Sequence, residues 1–219
     1  MKLHSSLLKI GIFCAVFYFF VITPIFTVPA PESFSVWTFP LFQAVFFASA
    51  LFLFFFHKNL WEKSKHFGKL FVFYDLIFTA TFSLCILFSI TFFLNGIALL
   101  VKFDGPDYQI AIPKNATEWL FCILTFLLSA SFEEILYRFY LPEFLLQYAG
   151  GRKKIVILIE VLTALFFAFA HSYAGLFAVL NALFAHIVLR CCYKKTSFIG
   201  AGIAAHFIYN LFQLFLTQL

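Results

Sequence analysis

Seven apolar runs, each long enough for a helix to cross a bilayer, recur along this chain with polar punctuation between them. A hydrocarbon core about 30 Å thick takes roughly 20 residues of helix. Only helices or closed barrels can enter it, because lipid offers backbone N–H and C=O groups no partner. The runs cover approximately residues 6–27, 35–56, 70–100, 118–148, 154–172, 174–190 and 197–218. They are continuously apolar instead of alternating, which excludes a barrel. With 63% of residues hydrophobic, 11% charged and a mean hydropathy of +0.99, the expected fold is all-α: a polytopic transmembrane helical bundle of about seven spans in the lipid bilayer of the cell (plasma or inner) membrane, with no soluble domain.

The third and fourth runs exceed an upright crossing. The third is expected to tilt or break near Asn95-Gly96. The fourth is expected to bend at Pro142, whose ring removes a helix hydrogen bond and crowds the preceding turn. Basic residues gather in alternate connections: Lys2 and Lys9; Lys58, Lys63, Lys65 and Lys69; Arg152, Lys153 and Lys154; Arg190, Lys194 and Lys195. The other connections carry little positive charge, so the positive-inside rule predicts a cytoplasmic N-terminus and an extracytoplasmic C-terminus. The net charge of +5 is thereby a topology signal and implies no nucleic acid partner. Residues 57–69 are expected as a solvated loop or as an amphipathic segment on the inner surface. The first run is longer than a signal-peptide core, and Pro31 directly follows its small-residue site, so it reads as a span. Cys14, Cys85, Cys122, Cys191 and Cys192 show no CxxC spacing and read as small apolar side chains. Asn115-Ala-Thr117 matches a glycosylation triplet, a pattern frequent by chance.

Function in such a chain lies with the polar residues inside the runs, since an ionised group at mid-bilayer costs roughly 2.5–3.5 kcal/mol even on the lenient insertion scale. These are Asp75, Glu133, Glu134, Arg138, Glu160, His171, Asn181, His186, His206 and Asn210. Glu134 and Arg138 are four apart and share a helix face, so they can pair. Glu133 then points about 100° away without a local cation. A carboxylate in such a place suits a general base, while a structural polar cluster tying helices together is the competing reading. His171 closes the fifth run. His206 and Asn210, again four apart, project from one face of the seventh as a donor or ligand pair would. Asp75, Glu160, Asn181 and His186 read as structural.

Glu133, Glu134 and Arg138 as EExxxR, Phe167 and His171 as FxxxH, and His206 and Asn210 as HxxxN, in that order, resemble the three motifs of the CPBP family. That family includes the CAAX-processing endopeptidases and the bacterial Abi proteins of bacteriocin processing and self-immunity. The resemblance spans about residues 118–218, dividing the chain into N-terminal helices (1–117) and a catalytic core (118–219). It implies intramembrane hydrolysis of a membrane-associated peptide or protein. Glu133 and His171 would activate a water, His206 and Asn210 would stabilise the oxyanion, and Glu134 and Arg138 would support the helix that carries Glu133. The family is described both as metalloproteases and as glutamate proteases needing no metal. Glu133, His171 and His206 permit a zinc, although no HExxH is present. The other readings are a non-catalytic immunity or scaffold protein on the same fold and a proton-coupled transporter, the latter disfavoured by the lack of an inverted repeat. One expectation concerns depth. His171 lies roughly 25 Å beyond Lys154, and Glu133 about 22 Å beyond Glu118, at 1.5 Å per residue. The overlong fourth run must therefore tilt, or begin outside the bilayer, for the two to meet.

Overall fold

The computed structural model describes residues 2–27, 40–56, 70–105 and 111–216, and the regular elements among them are all helical. In chain order they are α1 (Lys2–Val16), a first π-helical turn (Phe17–Ile22), α2 (Thr23–Phe26), α3 (Leu41–Phe56), α4 (Leu70–Leu100), α5 (Ala116–Glu133), a second π-helical turn (Glu134–Tyr140), α6 (Leu141–Leu146), α7 (Lys153–Phe169), a 3₁₀ turn (Ser172–Ala174), α8 (Leu176–Thr196) and α9 (Ile199–Leu216). Helices occupy each of the seven apolar runs. Five stretches are long and apolar enough to cross a membrane: Leu7–Phe26, Phe73–Leu100, Ala116–Leu146, Leu176–Thr196 and Ile199–Leu216. A helical membrane bundle fits these facts. Residues 57–69 and Pro31, on which two of the sequence expectations rest, lie outside the described residues.

Phenylalanines such as Phe19, Phe73, Phe78 and Phe93 face outward, where lipid and not water is their solvent. The interior centres on the second π turn, all seven residues of which are buried. Around it pack Val16, Leu53, Phe144 and Phe167, with Phe13 stacked on Phe144 at 4.5 Å and Phe54 tilted against Phe139 at 5.0 Å.

Of the tilt or break expected near Asn95-Gly96, the break does not occur. α4 runs unbroken through Asn95 and Gly96; a single helical glycine costs about 1 kcal/mol, and no neighbour forces a bend there. In the fourth span the irregularity is the π turn that precedes Pro142, closed by the Leu141 N–H donating to the carbonyl of Leu136, five residues back. The first span repeats this arrangement, with Thr23 N–H donating to Tyr18 O and Pro24 following. Each proline lacks the N–H that an α-helix would offer to the carbonyl four residues earlier. Those carbonyls belong to Phe20 and Arg138, and both are served from elsewhere: Tyr137 Oη donates to Phe20 O at 2.9 Å, and Arg190 Nη1 donates to Arg138 O at 2.6 Å. Two proline-bearing helices are thus tied into the bundle through their own orphaned backbone groups.

Asn115 caps α5. Its Oδ1 accepts from Glu118 N (3.0 Å), and Glu118 in return accepts from Asn115 Nδ2 (2.7 Å) and from Lys114 N (2.7 Å), a reciprocal capping arrangement. The triplet at 115–117 is therefore the start of a helix.

Candidate active site

The fourth span carries its acidic pair at the junction where α5 gives way to the π turn. Glu134 is fully buried. Its Oε1 lies 3.3 Å from Arg138 Nε, the expected pairing, and also accepts from His206 Nδ1 at 2.8 Å. This second partner comes from α9, which can approach so closely because residue 202, one turn before His206, is glycine. A Cβ there would stand 2.8 Å from Glu134 Oε2. Arg138 is also fully buried and lies over the Phe167 ring at 3.7 Å from its centroid. The aromatic residue of FxxxH thus has a physical task, holding a guanidinium that among the described residues meets one carboxylate.

Glu133 points elsewhere, as the helical offset requires. Its side chain is 23% exposed, and its Oε2 lies 3.7 Å from His206 Nε2. His206 therefore stands between the two glutamates. A carboxylate only accepts, so the Nδ1 proton of His206 is directed to Glu134, and Nε2 faces Glu133. His171 sits just past the end of α7, where its Nδ1 bonds the Phe167 carbonyl at 2.9 Å. A carbonyl likewise only accepts, which fixes the Nδ1 proton and leaves Nε2 available for other partners. The chain turns at Gly175, whose φ of 89° and ψ of 179° suit glycine alone.

Glu133 and His171 line one cavity of about 340 Å³. Its walls come from the first span (Phe19, Phe20, Thr23, Pro24, Thr27), from Gln43 and Phe46 of α3, and from Ser129, Phe132 and Tyr137 of the fourth span. The two residues thus meet at one cavity despite their separate helices. α7, with 17 residues, is short, and the continuous helix 116–146 is long enough for Glu133 to lie well inside it. Asn210 is half-buried one turn beyond His206 on α9. Among the described residues, no group of three or more His, Cys, Asp and Glu side chains is arranged to hold a metal ion. As they stand, Glu133, His171 and His206 are not arranged as a three-ligand zinc site.

The remaining intramembrane polar residues fall into separate clusters. Glu160 pairs with Arg190 (Oε2 to Nε 2.9 Å, Oε1 to Nη2 2.8 Å) and with Lys194 (3.3 Å). Arg190, grouped by its sequence with the cytoplasmic basic residues, is instead 4% exposed inside the bundle and also meets Glu143 at 3.0 Å. Asn181 joins Thr91, Tyr209 and Gln213 in a network across α4, α8 and α9. Asp75 lies 3.8 Å from Lys195. His186 is 1% exposed and packs on Phe167 at 5.7 Å. Sequence reasoning missed Arg190, Gly202 and Tyr137. The sequence held a signal near each: a glycine one turn before a motif histidine, and Pro24 and Pro142, which leave the carbonyls that Tyr137 and Arg190 serve.

Residues 115–212 match the model of a protein family described as type II CAAX prenyl endopeptidase Rce1-like. The matched segment contains every motif residue named above and supports assignment to the CPBP/CAAX protease family. No curated protein and no solved structure matches the chain.

Proposed function

We propose that this integral membrane protein, whose residues 115–212 carry the Rce1-like family match, is an intramembrane endopeptidase that hydrolyses a peptide bond in a membrane-associated substrate. The observation that carries this reading is the shared cavity of Glu133 and His171, contributed by two different helices and backed by the Glu134–His206 contact.

A water between Glu133 and His171 Nε2 loses a proton to Glu133 as its oxygen attacks the scissile carbonyl carbon. The negative charge that develops on the carbonyl oxygen is met from α9 by Asn210 and by His206. His206 Nδ1 is committed to Glu134, so His206 acts as a donor only with a second proton on Nε2. Its imidazolium, Arg138, Glu133 and Glu134 then sum to no net charge, which lessens the cost of holding four ionisable groups in a low-dielectric site. Preorganised donors of this kind contribute on the order of 3 kcal/mol each. Glu133 passes its proton to the amide nitrogen, the C–N bond breaks, and a carboxylate and an amine leave with one water consumed. Glu134 and Arg138 fix His206 and the turn that bears Glu133. The first span and α3 supply part of the cavity wall, and the segment that carries Glu133 to Asn210 forms the catalytic core.

An apolar groove of about 470 Å³ between α1 and α3 shares Phe20 with the catalytic cavity. Such a neighbour supports a substrate with a lipid-like appendage, as in CAAX processing, over a plain hydrophilic peptide. The test is cleavage of a membrane-tethered peptide by purified wild type and Glu133→Gln, each with and without a strong chelator. The amide keeps shape and hydrogen bonding but accepts no proton, so hydrolysis should vanish while the melting temperature holds. Full activity in the variant ends the base assignment. If neither protein cleaves and both support the same cellular phenotype, the chain is a non-catalytic immunity or scaffold protein.

A further inference from the structure

The three motifs leave unexplained why an arginine that does not line the cavity is buried in α8. Arg190 is 4% exposed, and its guanidinium is held on every side: Nε and Nη2 on Glu160 (2.9 and 2.8 Å), Nη2 also on Glu143 (3.0 Å), and Nη1 on the backbone carbonyl of Arg138 (2.6 Å). In the α register that resumes at Leu141, that carbonyl is the one an N–H at residue 142 would serve. It lies within the π turn, on the residue whose own side chain pairs with Glu134. A contact path therefore runs from Glu160 through Arg190 to the Arg138 backbone, and from the Arg138 side chain through Glu134 to His206.

We infer that Arg190 is a positioning residue for the hydrolysis proposed above: it supplies the hydrogen bond that Pro142 withholds and so holds the π register of residues 134–140. The register matters because a slip of one residue turns a side chain by about 100° about the helix axis. Such a slip takes Glu134 off His206 and Glu133 off the cavity. Glu143 and Glu160 fix the plane of the guanidinium, whose planar fork serves four oxygens at once, one more than the three donors of a lysine ammonium could. The inference rests on the endopeptidase reading for its kinetic consequence, though not for its geometry.

The test uses the full chain in detergent or vesicles. Arg190→Lys keeps the charge that Glu143 and Glu160 require but not the fork. It should leave KM within about twofold and lower kcat roughly 10- to 100-fold, the scale of an ångström-level misplacement of catalytic groups. The N–H restored by Pro142→Ala can serve Arg138 O without disturbing the π bonds that end at Leu141. Adding Pro142→Ala to Arg190→Lys should therefore recover much of the lost kcat, whereas two merely structural lesions would add. Glu160→Gln, a milder loosening of the same guanidinium, should show a smaller loss in the same direction, also relieved by Pro142→Ala. A wild-type kcat in Arg190→Lys, or losses that Pro142→Ala deepens, would overturn the inference. The ¹⁵N resonances of His206 provide a readout independent of cleavage. Arg190→Lys should shift them as the Glu134 contact loosens, and unchanged resonances would refute the positioning role even if wild type proves inactive and the protease reading fails.

Discussion

Gly202→Ala is the smallest change that reaches the centre of the site. The new methyl would lie 2.8 Å from Glu134 Oε2, well inside the 3.4 Å at which ordinary contact begins, and 3.6 Å from Cδ. Glu134 has nowhere to retreat, being fully buried and held by His206 Nδ1 at 2.8 Å and Arg138 Nε at 3.3 Å. Overpacking of this kind costs roughly 1–3 kcal/mol. For a chain of this size each kcal/mol moves the melting temperature about 2–4 °C, so a fall of roughly 2–12 °C is expected. Relief by shifting α9 displaces His206, and cleavage should drop at least about tenfold. Gly96→Ala is the matched control, because nothing lies within 4 Å of a Cβ there. It should gain about 0.5–1 kcal/mol from helix propensity and keep full activity. Thermal melts and cleavage rates of the two purified variants decide the matter. Wild-type melting and turnover in Gly202→Ala would refute the close approach of α9 to Glu134, as would identical behaviour of the two variants.

Tyr137→Phe removes the donor to Phe20 O and strands a carbonyl, at a cost of about 1–3 kcal/mol; hydrogen exchange should rise first in residues 17–26, and unchanged protection there would contradict the tie. Asn210→Ala should lower kcat by roughly 10²–10³ with substrate binding nearly intact, because the lost donor acts in the transition state; a change in KM alone would remove it from the oxyanion site. A reporter fused after Leu219 should be extracytoplasmic and one inserted at residues 152–154 cytoplasmic, with the reverse pattern refuting the orientation read from the basic residues.

Much of this architecture was legible because lipid enforces a simple code. Apolar runs of fixed length must be helices, and intramembrane charge must be paired or functional. The Glu134–Arg138 pair follows from helical spacing alone, and the motif order brought Glu133 and His171 forward as partners. What spacing could not supply was anything set between helices. Glu134 reaches His206 only because α9 packs close at Gly202, and periodicity says nothing of how near two helices lie. Arg190 looked like a loop cation because charge near the end of an apolar run normally snorkels to water. Its burial depends on Glu143, Glu160 and an orphaned carbonyl converging from two other helical segments. Pro142 predicted an irregularity but not its form. Proline says which hydrogen bond is missing, and the surrounding side chains decide whether the helix kinks or winds into a π turn.

The central claim is that Glu133 and His171 act on one water, and a double-mutant cycle tests it most directly. Glu133→Gln, His171→Ala and the doubly substituted protein are compared with wild type for kcat on the same tethered peptide, after melts show all four folded. Groups that work as a unit are strongly non-additive. The account predicts that each single change abolishes turnover to nearly the same residual level and that combining them lowers it no further. Losses that multiply in the double variant, or a His171→Ala protein that retains most of its turnover, would show that the two residues do not share a water.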